Sequence, residues 1–244
     1  LGELKAGLRL IHWDYRISLP ENTKNPDEPY DYGPTPTEIQ ANQIALSAYW
    51  KKNFLKFDFK GEGYFSAFKA YASQFISGAI SRDFKNGIST KVKLSLRSQT
   101  PNFNFFLNRS NFSEYNWYNP DFKNQLINTL NFTFAYPKWG TIEGKYEVLN
   151  NYTYFKNLLP DSRLGPEEFS DDIKKEEELV VTPEQYIGTV GYLKLRFSHR
   201  LDFWKFTLSN TAQYQQVSHD GDIDFKPLNV PEWNLRTSFL FSSQ

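Results

Sequence analysis

The chain is 244 residues long, with 28 Lys and Arg against 28 Asp and Glu, so its charge balance offers no basic footprint for nucleic acid. It has no Cys, which removes disulfides, thiolate metal sites and cysteine nucleophiles together. No apolar run of about 18 residues is present, which excludes a membrane-spanning helix. A mean hydropathy of -0.61 leaves a membrane barrel open, because barrel strands need apolar residues only at alternate positions.

Rings make up 18% of the chain, with 22 Phe, 15 Tyr and 6 Trp. Aromatic girdles at the two interfaces of a membrane barrel would supply that density. From the front, Leu4, Ala6, Leu8 and Leu10 alternate with Glu3, Lys5 and Arg9, a period of two that predicts a strand. The phase then slips to Ile11, Trp13, Tyr15 and Ile17, so a bulge is expected near Leu10–Ile11. Residues 18–39 collect Pro, Asn, Asp and Gly and predict a long loop. Ile44, Leu46, Ala48 and Trp50 form the next stripe, with a tight turn expected at Lys51–Asn53 before Leu55, Phe57 and Phe59. Gly61 and Gly63 carry that face on without side chains.

A weaker strand around 75–84 ends at Lys85-Asn86-Gly87, a hairpin signal. Ile88, Thr90, Val92, Leu94 and Leu96 follow, then a loop from 101 to about 121. Leu130, Phe132 and Phe134 lead to a turn at Pro137–Gly140, and Ile142, Gly144, Tyr146 and Val148 lead away from it. Residues 156–183 predict the longest and most charged loop. Ile187 to Phe197 alternates again, His199–Asp202 is expected to turn into Trp204, Phe206 and Leu208, and a loop at 217–230 precedes Trp233 to Phe241.

About ten strands result, and their connections alternate between short and long, with only the link near 72–74 out of step. That asymmetry belongs to bacterial outer-membrane barrels and not to a Greek-key sandwich. The fold class read here is all-β, an antiparallel up-and-down transmembrane β-barrel. The rings fall beside the expected interfaces: Trp50, Tyr136, Trp139, Trp204 and Phe241 near short turns, and Trp13, Tyr15, Trp117, Tyr152, Tyr154 and Phe155 toward long loops. A soluble β-core would instead concentrate them in mid-strand.

If the apolar stripes face lipid, the opposite face lines a lumen. It would carry Lys5, Arg9, Arg16, Lys56, Lys60, Lys91, Lys93, Arg97, Lys145, Lys194, Arg196, Lys205 and Arg236. Against them stand Glu3, Asp14, Asp58, Glu62, Glu143 and Glu147. Acid is gathered in the 156–183 loop, so cations exceed anions on this face and a mild anion preference is expected. The competing expectation is that these charges pair across strands and fill a narrow lumen.

The loop holding Phe103, Phe105, Phe106, Phe112, Tyr115 and Trp117 is too apolar to stand in water. It is expected to fold into the lumen as a constriction or to contact a partner. The acidic run Asp171, Asp172, Glu176, Glu177 and Glu178 reads as a solvated loop face, and the stretch from His219 to Asp224 lacks the position-12 Glu of a calcium loop. His12, His199 and His219 fall in a strand, a turn and a loop, and single out no Ser/His/Asp set. Neither an enzyme, a cofactor nor a metal is expected.

The segments SQTPNFNFFLNRSNFSEYNWYN at 98–119 and NNYTYF at 150–155 resemble the putative porin family of Bacteroidota outer membranes. FKGEGYFSA at 59–67, VVTPEQ at 180–185 and LNVPEWNLRTSFLF at 228–241 support the resemblance, in an order similar to the family's. It implies passive diffusion of small hydrophilic solutes across a Gram-negative outer membrane, with lipid and small solutes as partners. Because the family is longer and the chain runs past Phe241 to Ser-Ser-Gln, it is expected to be a processed, internal portion of a barrel of about 14 or more strands. Residues 1–244 would then be one barrel portion, incomplete at both ends. Two other functions remain open: a barrel subunit of a larger outer-membrane complex, in contact with other outer-membrane proteins, and a secreted glycan-binding β-domain.

Overall fold

The computed structural model describes residues 2–17, 36–67, 71–110, 115–158, 180–221, 228 and 230–242. Within them the period-two pattern folds as a ten-stranded antiparallel sheet. Its strands are β1 (Glu3–Arg16), β2 (Glu38–Phe54), β3 (Phe57–Ala67), β4 (Gln74–Asp83), β5 (Ser89–Gln99), β8 (Gln125–Tyr136), β9 (Gly140–Leu158), β10 (Val180–Phe203), β11 (Phe206–His219) and β12 (Trp233–Phe241). Between β5 and β8 lie a helical turn, α1 (Phe103–Phe106), and the short pair β6 (Leu107–Asn108) and β7 (Trp117–Tyr118). Each long strand pairs with the next in sequence, which is up-and-down topology. Among the described residues β1 and β12 are free edges, so the sheet is open and fits part of a barrel wall.

Register assigns every strand residue to one of two faces. On one, Leu4, Leu8 and Leu10 lie opposite Trp50, Leu46 and Ile44. The same face continues through Phe65, Ile76, Leu96 and Leu94 to Leu130, Tyr146, Leu195, Tyr214 and Trp233. Most of these side chains are exposed, Leu10 at 75% and Leu235 at 74%. The other face carries most of the charged residues of the strands. Trp50 keeps its ring over Gly61, where the absent side chain leaves room.

No bulge interrupts β1. Its pairing with β2 is unbroken from Glu3 opposite Lys51 to Arg16 opposite Glu38, which corrects the expected slip at Leu10–Ile11. The apolar residues change face there because the surroundings change. Ile11, Trp13 and Tyr15 lie on the polar face, Trp13 and Tyr15 under Phe103 of an aromatic segment, and His12, Asp14 and Arg16 extend beyond the apolar band. A register shift does occur between Tyr186 and Thr189 of β10, opposite Asn151 of β9 with φ 55°.

Two turns fall later than expected. β2 continues through Lys51–Asn53 and turns at Leu55–Lys56, with φ of 50° and 68°, the mirror-image turn that matches strand twist. β10 runs through His199–Asp202 and turns at Trp204–Lys205. In both places alternation persists beneath the polar residues: Trp50 and Phe54, or Leu201 and Phe203, hold the apolar face. The turns at 84–88 and 137–139 stand where the sequence puts them, closed by Gly87 and Gly140 at φ 83° and 107°. Acidic residues 171–178 lie outside the described residues, as do Phe112, Asp222 and Asp224.

Candidate functional site

The register brings Lys5, Arg9, Lys60, Lys91, Lys93, Arg97, Glu143, Lys145, Glu147, Lys194, Arg196 and Arg236 onto the polar face. Four residues assigned there from sequence lie elsewhere, Asp14 among them on the face of Leu8 and Leu10. Arg16 shares the face of Leu8 and Leu10, past their band, and binds Asp14 at 2.8 Å and Glu38 at 3.5 Å. Lys56 and Lys205 occupy the two late turns. Sequence reasoning missed Lys51, Arg200 and Asp202, which alternate onto the polar face; the persisting apolar stripe beside them was the available signal.

Part of this charge is neutralised within the sheet. Glu62 accepts from Lys60 at 2.9 Å, Lys93 at 3.0 Å and Ser77 at 3.1 Å, tying three strands together. Glu147 accepts from Lys145 at 2.7 Å and Thr129 at 3.0 Å, and Glu143 lies 3.8 Å from Arg196. Such half-exposed pairs stabilise little, but they cancel charge. Among the described residues Arg9, Lys91, Lys194 and Arg236 have no carboxylate in salt-bridge reach. Among the described residues this face carries more cationic than anionic side chains.

The aromatic segment lies across the long-loop end of the same face. Asn102 caps α1 by accepting the Asn104 N–H at 3.0 Å. Phe106 and Leu107 are buried, at 2% and 0% exposure, against Ile39 of β2 and among Tyr15, Ile17, Tyr71, Phe103 and Phe122. Phe103 stands 5.4 Å from Trp13 and 5.6 Å from Tyr15, whose hydroxyl donates to Asn104 Oδ1 at 2.9 Å. On the far flank Phe155 of β9 meets Phe105 at 4.7 Å and Trp117 at 5.8 Å. The Gln185 amide of β10 pairs in both directions with the Lys123 backbone, at 2.9 and 2.7 Å. Residues 101–110 and 115–124 are thus anchored on β1–β2 at one side and β9–β10 at the other. Of the expected loop residues, Phe103, Phe105, Phe106 and Trp117 gather here, and the Tyr115 carbonyl accepts from Asn108 at 2.6 Å.

A two-faced strand sheet with a loop bridging its charged side is porin architecture, and a family model described as "Putative porin" matches residues 2–244. The chain belongs to that family. No curated protein and no solved structure matches it. Porin membership gives a porin-like, channel-type function in the outer membrane of a Gram-negative bacterium.

In this porin the rings divide by position. Trp50, Tyr136 and Phe241 lie on the apolar face toward the short turns, with Trp139 and Trp204 on the turns themselves, 70% and 84% exposed. At the other end Thr153 and Phe155 point to the polar side, so Tyr152 and Tyr154 alternate to the apolar side, stacked with rings 3° from parallel. Trp13 and Tyr15 are corrections: they are on the polar face under Phe103, because the β1 register is unbroken. Sequence reasoning also missed the ring cluster of Phe203, Phe206, Phe239 and Phe241, with Phe206 within 5.7 Å of each of the others. Arg82 stacks between Phe57 and Phe84, at 4.8 and 4.5 Å.

Proposed function

We propose that the chain forms wall of a passive diffusion pore for small hydrophilic solutes in a Bacteroidota-type outer membrane. Its apolar face meets lipid, its polar face lines the lumen, and residues 101–110 and 115–124 narrow the passage. One observation carries this reading: the apolar face runs across all ten strands while the opposite face is charged. Trp50, Tyr136, Phe241, Tyr152 and Tyr154 then serve as headgroup-level belts. The open edges of β1 and β12 fit a wall completed by further strands. Arg9, Lys91, Lys194 and Arg236, which have no carboxylate in salt-bridge reach among the described residues, bias the lumen mildly toward anions.

The aromatic segment buries Phe106 and Leu107 against the chain's own sheet, which favours a constriction over rings held ready for an assembly partner. A soluble glycan-binding domain would leave Leu4, Leu8, Leu10 and Leu235 in water, a patch beyond what soluble monomers keep. Planar-bilayer recordings under a KCl gradient test the proposal. Discrete conductance steps with an anion-selective reversal potential are expected. Glu62→Gln, which frees Lys60 and Lys93, should shift that potential further toward the anion. A cation-selective potential overturns the preference, and silent bilayers overturn the pore.

A further inference from the structure

We infer that the polar face over β1–β4 holds a binding subsite for acidic saccharides, carboxylated sugar rings whose charge is read by Arg9. The inference rests on that face being the solute-facing one. A hollow of about 830 Å³ lies there, with Gly7, Ala45 and Ser47 as part of its floor. The floor is low for a physical reason. Gly7 faces Ser47 across the strand pair, the Ser47 hydroxyl donates to the Gly7 carbonyl at 3.3 Å, and a side chain at position 7 would collide with it.

Rings stand around this floor. Trp13 rises at the long-loop end, Tyr49 at the other, and Tyr64 and Phe75 flank it with ring centroids 5.8 Å apart. Tyr49 already carries Lys5 and Lys60 over its ring, and Phe75 carries Lys93 and Arg97. It is therefore Trp13 and Tyr64 that offer a negative quadrupole to the polarised C–H face of a sugar, while the hydroxyls of Ser47 and Ser73 can bond its oxygens.

Charge selects among sugars. Glu62 lines the hollow, but Lys60, Lys93 and Ser77 already hold its carboxylate. Lys5 is occupied by Glu3 at 2.7 Å. Arg9 projects from the same face and, among the described residues, has no carboxylate in reach. A planar guanidinium with open donors beside aromatic walls fits a carboxylate carried on a ring, bound in bidentate fashion.

Calorimetric titration of the detergent-solubilised chain with trigalacturonate, and with neutral maltotriose as comparator, tests this without requiring conduction. Trigalacturonate should bind about tenfold more tightly than maltotriose, the worth of one charge-assisted contact. Arg9→Gln should weaken trigalacturonate about tenfold and leave maltotriose unchanged. Tyr64→Leu should weaken both, and Lys138→Gln, an equal charge change on a distant turn, should alter neither. Equal affinity for the two sugars, equal loss in Arg9→Gln and Lys138→Gln, or no heat with either sugar overturns the subsite. A chain that conducts in bilayers but binds neither sugar overturns the subsite alone. A chain that binds trigalacturonate as described but never conducts supports the subsite and overturns the pore.

Discussion

Phe106 and Phe206 are the same residue in opposite surroundings. Phe106 is buried at 2% exposure beneath its own loop, against Ile39 and Tyr71. Phe206 stacks on Phe239 and Phe241 at the short-turn rim of the apolar face, where Phe239 and Phe241 remain 60% and 57% exposed. In water the second arrangement would be a liability; against lipid it needs no cover. The aromatic content therefore does two jobs. One set of rings makes a small protein-like core over the charged face, and the other makes a surface matched to a bilayer.

That contrast breaks first at Phe106. Phe106→Ala should cost about 3–5 kcal/mol of local packing and release residues 101–110 and 115–124 from the polar face. The expected readout is a larger single-channel conductance together with faster limited proteolysis within 101–124. Unchanged conductance and unchanged cleavage would mean the segment does not restrict the passage. The apolar face is tested next, at Leu130, flanked in register by Leu94 and Tyr146. Leu130→Arg should cost about 2–4 kcal/mol at bilayer depth, seen as loss of the folded, heat-modifiable gel band in outer-membrane extracts. Thr133→Arg, three residues further along β8 and on the polar face, should retain that band. Equal loss in both would dissolve the distinction between the faces. A smaller effect belongs to Gly140, whose φ of 107° places any side chain against the Ser198 carbonyl. Gly140→Ala should cost about 1–3 kcal/mol, read as a lower unfolding midpoint in urea.

Most of the sheet was legible because alternation is a local signal: its stripes can be followed from Leu4–Leu10 to Trp233–Phe241 without tertiary information. The errors share one cause. Lys51–Asn53 and His199–Asp202 resemble turns by composition, yet a strand with one charged face can carry such residues without ending. The slip at Ile11 resembled a bulge because sequence alone does not reveal that the charged face acquires an apolar cover there. Trp13 and Tyr15 answer to Phe103, about ninety residues away. The hollow beside Arg9 was equally invisible, since it depends on Gly7 and Ser47 meeting across a strand pair. Loop aromatics, by contrast, announced their own burial: a stretch that apolar had to cover itself.

The smallest expected effect lies where the long-loop end is held by hydrogen bonds instead of rings. Asp220 Oδ1 accepts from the Tyr186 hydroxyl and from the Thr189 N–H, each at 2.8 Å, across the register shift in β10. The Tyr186 hydrogen bond first, and the Thr189 amide second, hold the Asp220 carboxyl below the usual aspartate range. A folded-state value below the unfolded one means that the stabilisation is fully present above the ordinary aspartate range and is lost as pH falls through the lowered value. Asp220 is fully exposed, so solvent screens the contact and the effect should stay local. Amide exchange of residues 186–191, corrected for intrinsic rates, should be slow at neutral pH and quicken only under strong acid. In Asp220→Asn the carboxylate is gone, so exchange should be faster at neutral pH and indifferent to acid. Identical protection in both proteins at every pH would show that the bulge is held by the β9–β10 ladder alone, and that this end needs no side-chain latch.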